Sequence, residues 1–131
     1  MYMLDTNICI YLINNKFPEL ARRIDEIPID SICISAITQA ELELGVFKSQ
    51  NQAKNAQALV KFLSVINVVD FDTKAAAAYG EIRADLERKG SPIGHMDMLI
   101  AAHALSQGYT IITNNLRKFE RVEGLELENW L

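Results

Sequence analysis

The chain has 131 residues, half of them hydrophobic, which is the size of one globular domain with its own core. Its formal net charge of −4 gives no overall basic field, which argues against a simple nucleic-acid-binding module. A metal-dependent enzyme remains compatible with that charge, because bound cations offset local carboxylates. There is no signal-peptide pattern and no apolar stretch of ~18 residues, so we expect a cytosolic protein that does not enter a membrane.

Short strand-like runs alternate with helix-like segments along the chain. The four runs are Met1–Leu4, Ser31–Ile34, Val65–Val69 and Tyr109–Thr113. Apolar residues at helical spacing lie between them, at Phe17–Ile27, Ala53–Leu63 and Ala75–Leu86, and a last helix opens near Asp97. The alternation predicts an α/β fold with a mostly parallel central sheet and helices on both faces, in one domain over residues 1–131.

Capping and breaking residues mark the ends of these helices. Pro18 suits the first turn of the first predicted helix, and Pro28 suits a position past its end. Asp72 can cap the helix that contains Ala75–Leu86, and Gly90 is its expected stop. Cys9 and Cys33 stand singly in apolar runs, so we interpret them as small buried hydrophobes in a reducing compartment.

Three acidic residues follow strand-like runs or open helices. Asp5 comes directly after Met1–Leu4, Glu41 lies in the segment after Ser31–Ile34, and Asp97 lies early in the last helix. In an open α/β sheet, functional groups gather beyond the carboxyl ends of the strands, so these acids should converge. Converging carboxylates repel one another, and the arrangement therefore favours a hard divalent cation such as Mg²⁺ or Mn²⁺.

Each of these acids also has a purely structural explanation. Asp5 can be a helix N-cap, and Asp97 can complement a helix dipole. Glu41 matches a T-x-x-E capping box with Thr38. Ser35 is the better cap after the strand, however, and this leaves Glu41 free to face a cleft.

Other polar side chains near these segments have ordinary interpretations. Asn114 and Asn115 suit a turn. His95 and His103 are poor ligand candidates, because the spacing of His103 from Asp97 places the two on different helix faces. A basic cluster would usually be solvated, but its position after the last strand could put positive charge beside the acidic pocket. Its members are Arg117, Lys118 and Arg121, and the nearby Phe119 and Trp130 are expected to pack in the core or at its edge.

Four stretches of the chain together resemble the PIN-domain family, and within it the VapC-type toxins of bacterial toxin–antitoxin pairs. The resemblance lies in Met3–Asn7, Ile37–Leu42, Ile93–Ala104 and Thr113–Phe119. It implies a Mg²⁺- or Mn²⁺-dependent endoribonuclease, commonly a homodimer, whose VapB-type antitoxin places a C-terminal segment in the groove and active site of the toxin. The ending Thr113–Phe119 is similar to that of toxins from enteric bacteria that cut initiator tRNA in the anticodon stem-loop and so inhibit translation.

The resemblance also assigns roles to residues. Asp5, Glu41 and Asp97 match the metal-binding acids of the family, whereas the usual fourth acid falls at Asn115, for which Glu120 could compensate. Such a site would direct in-line attack of water on phosphorus and leave 5′-phosphate and 3′-hydroxyl ends. Residues expected to orient a ligand or water are Thr6, Asn7 and Thr113, and those expected to contact RNA are Arg117, Lys118 and Arg121.

Two other interpretations remain open on sequence alone. A haloacid-dehalogenase-like phosphatase also has an Asp after its first strand, but the second acid of its Asp-x-Asp motif would be Asn7 here. A receiver-like phosphoacceptor domain would need clustered acids after the first strand and a partner Lys after the last, and the sequence matches neither requirement well. A PIN-fold binding module with a weakened metal site is the non-enzymatic alternative, and Asn115 is the main observation in its favour.

Overall fold

The structure is a computed structural model that describes residues 1–131, and one sheet runs through its centre. The strands are β1 (Tyr2–Leu4), β2 (Ile32–Ser35), β3 (Asn67–Val69), β4 (Thr110–Ile112) and β5 (Glu126–Glu128). All of them are parallel, in the order β3-β2-β1-β4-β5. The chain extends the sheet to one side of β1 and then returns to the other side, so the polar side chains that follow β1 and β4 lie at its switch point.

Seven α-helices and one 3₁₀ turn connect the strands. The helices are α1 (Thr6–Ile13), α2 (Pro18–Asp25), α3 (Ala36–Lys48), α4 (Gln52–Leu63), α5 (Thr73–Arg88), α6 (His95–Gln107) and α7 (Leu116–Phe119), with the 3₁₀ turn at Ile29–Ser31. No helix has the length and apolar character needed to cross a bilayer.

The hydrophobic core has two layers, one on each face of the sheet. Successive strand side chains point to opposite faces, so neighbouring residues enter different layers. One layer packs the sheet against α5 and α6, and the other packs it against α1 to α4. The first layer contains Met3, Cys33 and Ile111, and the second contains Leu4, Ile34 and Ile112. The predicted helices on both faces are therefore confirmed.

The predicted helix ends agree with the observed caps. Pro18 stands at the start of α2, and the Asp72 side chain accepts a hydrogen bond from the Ala75 N–H at 3.0 Å. Gly90 follows the end of α5 with φ of +66°, a left-handed conformation that favours glycine. Cys9 and Cys33 are buried free thiols, and burial raises the pKa of Cys33 to about 11.

Three local expectations were wrong or incomplete. Helix α2 ends at Asp25, so Ile27 lies outside it. In α4 the buried residue is Leu59, whereas Val60 is 67% exposed, because the helix presents a different stripe to the core. The strand β5 and the single-turn helix α7 were not predicted.

Candidate active site

Asp5 is the buried centre of the polar cluster that follows β1. It is only 4% exposed, and its Oδ1 accepts a hydrogen bond from the Ile8 N–H at 2.9 Å, which caps α1. Burial raises the pKa of the Asp5 carboxyl, and the nearby Asp97 charge acts in the same direction. Hydrogen bonds from Thr113 and Ile8 and the charge of Lys118 oppose that rise in pKa. Asp5, Asp97, Thr113 and Lys118 therefore interact at one point.

Asp97 reaches this point from the first turn of α6. Its Oδ2 lies 3.0 Å from the Lys118 Nζ, and both side chains are largely shielded, at 28% and 25% exposed respectively. Gly94, the N-cap of α6, leaves room for the carboxylate, because a Cβ at that position would lie 3.0 Å from Asp97 Oδ2. The sequence places an acid and a small residue three positions apart so that the carboxylate can turn back over the helix start.

Glu41 is held in the same region by a chain of hydroxyl groups. Thr6, which follows Asp5 directly, donates a hydrogen bond from its Oγ1 to Glu41 Oε1 at 2.5 Å. The same Thr6 oxygen lies 3.4 Å from the hydroxyl of Thr38, which is fully buried. Ser35, and not Thr38, caps α3 by accepting from the Ile37 N–H at 3.0 Å. The expectation that Glu41 is free of a capping role is confirmed.

The remaining predicted residues lie around this cluster without joining it. Asn7 is exposed on α1, and Glu120 is exposed at the end of α7. Asn115 caps α7, with its Oδ1 accepting from the Lys118 N–H at 3.3 Å, so the amide has a structural role. Of the basic cluster, Arg117 is exposed and Arg121 donates to the Pro92 carbonyl at 2.9 Å. Only Lys118 reaches the carboxylates.

The three acids offer the oxygen ligands that a hard divalent cation takes, although Glu41 does not converge with Asp5 and Asp97. No group of three or more Asp, Glu, His or Cys side chains is close enough to hold an ion. Asp5 and Asp97 influence each other, whereas Glu41 bonds to Thr6. The groups are nevertheless all oxygen donors, and a cationic ammonium already lies against Asp97. Shielded carboxylate oxygens are the ligands that Mg²⁺ and Mn²⁺ take in proteins.

His103 is a buried polar residue whose position the sequence did not reveal. Its Nδ1 lies 2.8 Å from the Ser35 Oγ, and its ring packs edge-on against Phe71. Burial lowers the pKa of His103, while Asp72 and the Asp70 backbone oppose the shift, and its Nε2 has no hydrogen-bond partner. No sequence signal pointed to this contact with Ser35. Through this contact α6 is joined to the cap of α3.

A groove with apolar walls opens beside Glu41. Residues from α1, α3 and α4 line it, including Ile10, Ile13, Leu42, Val46 and Leu59. Glu41 also lines this groove, so a segment bound there would contact one of the three acids.

The sequence model of the PIN domain matches residues 2–125, which is nearly the whole chain. The chain belongs to the PIN-domain family. Among the relatives of this PIN domain is a tRNA(fMet)-specific endonuclease VapC of Salmonella typhimurium, which is 46% identical over 129 residues, with 98% of this chain and 97% of the relative covered. The Ribonuclease VapC2 of Rickettsia felis is 44% identical over 137 residues, with 99% and 98% covered. The chain is therefore a VapC-type PIN domain.

Solved structures agree with this placement of the PIN domain. The DNA-bound VapBC of Salmonella typhimurium contains a chain that is 45% identical, with a TM-score of 0.94 and coverage of 99% of this chain and 98% of that one. VapBC2 of Rickettsia felis, bound to a DNA fragment from the promoter of the pair, gives 42% identity, a TM-score of 0.93 and the same coverage.

Proposed function

We propose that this chain is the toxin of a type II toxin–antitoxin pair, a divalent-metal-dependent endoribonuclease that cuts initiator tRNA in the anticodon stem-loop and so inhibits translation. The observation that supports it best is the meeting of Asp5, Asp97 and Lys118 at the carboxyl edge of β1 and β4, with Glu41 joined to it through Thr6. The substrate is proposed from the relatives in Salmonella typhimurium and Shigella flexneri, both named tRNA(fMet)-specific endonuclease VapC.

In this proposal Asp5, Asp97 and Glu41 hold Mg²⁺ or Mn²⁺. The ion supplies Lewis acidity at phosphorus, a more acidic water and charge stabilisation of the leaving 3′ oxygen. The Ile8 N–H and Thr113 fix the Asp5 carboxylate, and the Thr6 hydroxyl fixes Glu41. These contacts would hold the two carboxylates in a fixed orientation toward the ion. Cleavage leaves a 5′-phosphate and a 3′-hydroxyl.

The partner is proposed to be a VapB-type antitoxin. The solved relatives are VapBC complexes, two of them bound to DNA. The apolar groove beside Glu41 is suited to receive a peptide segment whose end covers the carboxylates. We expect a toxin homodimer that assembles with the antitoxin in a hetero-oligomer and acts in the cytoplasm.

Two alternatives are less well supported. Asn7 is exposed and makes no side-chain contact with Asp5, so the second acid of a phosphatase motif has no equivalent. A PIN-fold binding module with a weakened site would explain Asp5 as the cap of α1 but would not explain why Asp97 and Lys118 lie beside it.

Chelation tests the proposal directly. Purified chain, freed of any antitoxin, is incubated with initiator tRNA in EDTA and then with added Mg²⁺ or Mn²⁺, and the RNA ends are mapped. We expect cleavage only with the ion and a 5′-phosphate at the cut. Undiminished cleavage in EDTA would show that the acids do not serve a metal, and no cleavage under any condition would favour the binding module.

A further inference from the structure

Lys118 lies inside the cluster of carboxylates and not on the solvated surface. Its ammonium is 3.0 Å from Asp97 Oδ2 and 5.2 Å from the ring centroid of Phe119, which is fully buried. Its charge also opposes the rise in the pKa of Asp5 that burial causes. One lysine therefore interacts with two of the three proposed metal ligands.

The backbone around Lys118 fixes it at this place. The Asn115 N–H donates to the Thr113 Oγ1 at 2.9 Å, and the Asn115 Oδ1 accepts from the Lys118 N–H. Thr113 is itself fully buried, and its hydroxyl opposes the rise in the pKa of Asp5. The turn that follows β4 therefore links the start of the lysine side chain to the same strand edge as the acids. A solvated lysine on a free loop would have no such support.

Lys118 and a divalent ion need the same carboxylate. Lysine is a compact ammonium with three donors, and a carboxylate oxygen bound to it has less charge to offer a metal. A second cation at the site would also be repelled by the ammonium. We propose that Lys118 is a resident cation of the active site, which neutralises Asp97 in the metal-free protein and must be displaced when the ion binds. This inference depends on the proposed metal site and adds a residue that controls its affinity.

The test measures the affinity of the protein for Mn²⁺ and does not depend on RNA cleavage. Free Mn²⁺ is measured by its paramagnetic resonance signal during titration of wild type, Lys118→Met and Arg117→Met. Arg117 is the matched control, because it lies on the same helix, has the same charge and does not touch Asp97. We expect Lys118→Met to bind Mn²⁺ about fivefold more tightly, which corresponds to a partly shielded ion pair, while Arg117→Met stays near wild type.

Thermal melts give a second readout of the same competition. Without metal, Lys118→Met should melt below wild type, because Asp5 and Asp97 lose their neutralising charge. With saturating Mn²⁺ its gain in Tm should exceed that of wild type. Lys118→Gln serves if Lys118→Met does not fold, and the same tighter binding is expected of it.

The outcomes separate this inference from the proposed function. If wild type binds Mn²⁺ and Lys118→Met binds it no more tightly, or if Arg117→Met gains as much, the lysine is not a competitor and the inference is overturned. If Asp97→Asn binds Mn²⁺ as wild type does, or if no variant binds it, the metal site itself is wrong. Tighter binding in Lys118→Met than in wild type, with no such gain when Lys118→Met is added to Asp97→Asn, establishes the competition.

Discussion

Asp5 is the only acidic residue in the chain that is buried, and its burial disfavours the ionised form of the carboxyl group. Because its pKa is raised in the folded state, the folded protein holds a proton more tightly than the unfolded chain does at pH just above 3.8. Stability from this group therefore rises as the pH falls through that window, and at pH 7 the ionised carboxylate opposes folding. A buried carboxylate of this kind beside other charged groups is typical of functional sites, which agrees with the proposed role of Asp5 as a metal ligand.

Asp5→Asn should raise the free energy of unfolding at pH 7 in the absence of metal, and it should abolish cleavage. Asn keeps an oxygen to cap α1 through the Ile8 N–H and removes the desolvated charge. Urea denaturation of both proteins in EDTA measures the difference. A clear loss of stability in Asp5→Asn would mean that the ionised carboxylate stabilises the fold.

Single substitutions of Asn115 and Glu120 test which of the two residues, if either, serves as a fourth metal ligand, a question that the sequence alone does not answer. If Glu120 supplied a missing carboxylate, Glu120→Gln would reduce cleavage far more than Asn115→Ala. Both side chains are exposed and neither contacts Asp5 or Asp97, so we expect equal, small effects on cleavage rates. A large, selective loss in Glu120→Gln would show that this residue moves into the site.

Helix α3, which carries Glu41, is joined to β2 and α6 at Ser35, and we expect this joint to position Glu41. Ser35 is the last residue of β2, it caps α3, and it contacts His103 of α6. Asp97 lies at the start of the same α6, so one hydroxyl connects the helices that supply two of the three acids. The burial of His103, which lowers its pKa, keeps the imidazole neutral in this joint.

Ser35→Ala should lower the free energy of unfolding by roughly 1–3 kcal/mol, because it removes a helix cap and leaves a buried imidazole nitrogen without its partner. It should also slow cleavage, since α3 bears Glu41. Asp72→Ala is the matched control, because Asp72 caps α5, which holds none of the acids. Denaturation midpoints and cleavage rates are measured together. If Ser35→Ala loses stability but cleaves at the rate of Asp72→Ala, the joint does not position the site.

The strands and helix starts that depend on local sequence signals were predicted correctly. The alternation of short apolar runs with helical spacing predicted four strands, and Pro18, Ser35 and Asp72 marked helix starts correctly. It missed β5, whose Glu-Leu-Glu pattern forms a strand only because β4 offers a free edge. The sequence did not predict that Lys118 contacts Asp97 or that His103 contacts Ser35, because these contacts depend on how α6 and α7 pack.

At the scale of the whole molecule, charge argues for a compact RNA substrate. The chain has a net charge of −4, and of its predicted basic cluster only Lys118 lies within the site, where Asp97 occupies it. Phosphate neutralisation dominates non-specific affinity for nucleic acid, so extended RNA should bind weakly. A loop with splayed bases exposes its backbone, whereas an A-form stem does not.

We therefore predict one dominant cut in a structured tRNA loop, with little degradation of bulk messenger RNA. The measurement is transcriptome-wide mapping of 5′-phosphate ends after brief expression of the chain without its antitoxin. Ends spread across messenger and ribosomal RNA with intact tRNAs would refute the substrate proposal and leave the metal site to be judged separately.

Asp97→Asn tests whether the carboxylates at the edge of β1 and β4 bind the ion that RNA cleavage requires. The substitution removes one ligand charge without changing side-chain volume, and a thermal melt and circular dichroism verify the fold. Cleavage of initiator tRNA by purified protein in Mg²⁺ should fall by more than about a hundredfold, because losing a ligand exceeds the ~10–100-fold effects seen when only its supporting partner is lost. Folded Asp97→Asn protein that cuts the tRNA at a near-normal rate would contradict the account.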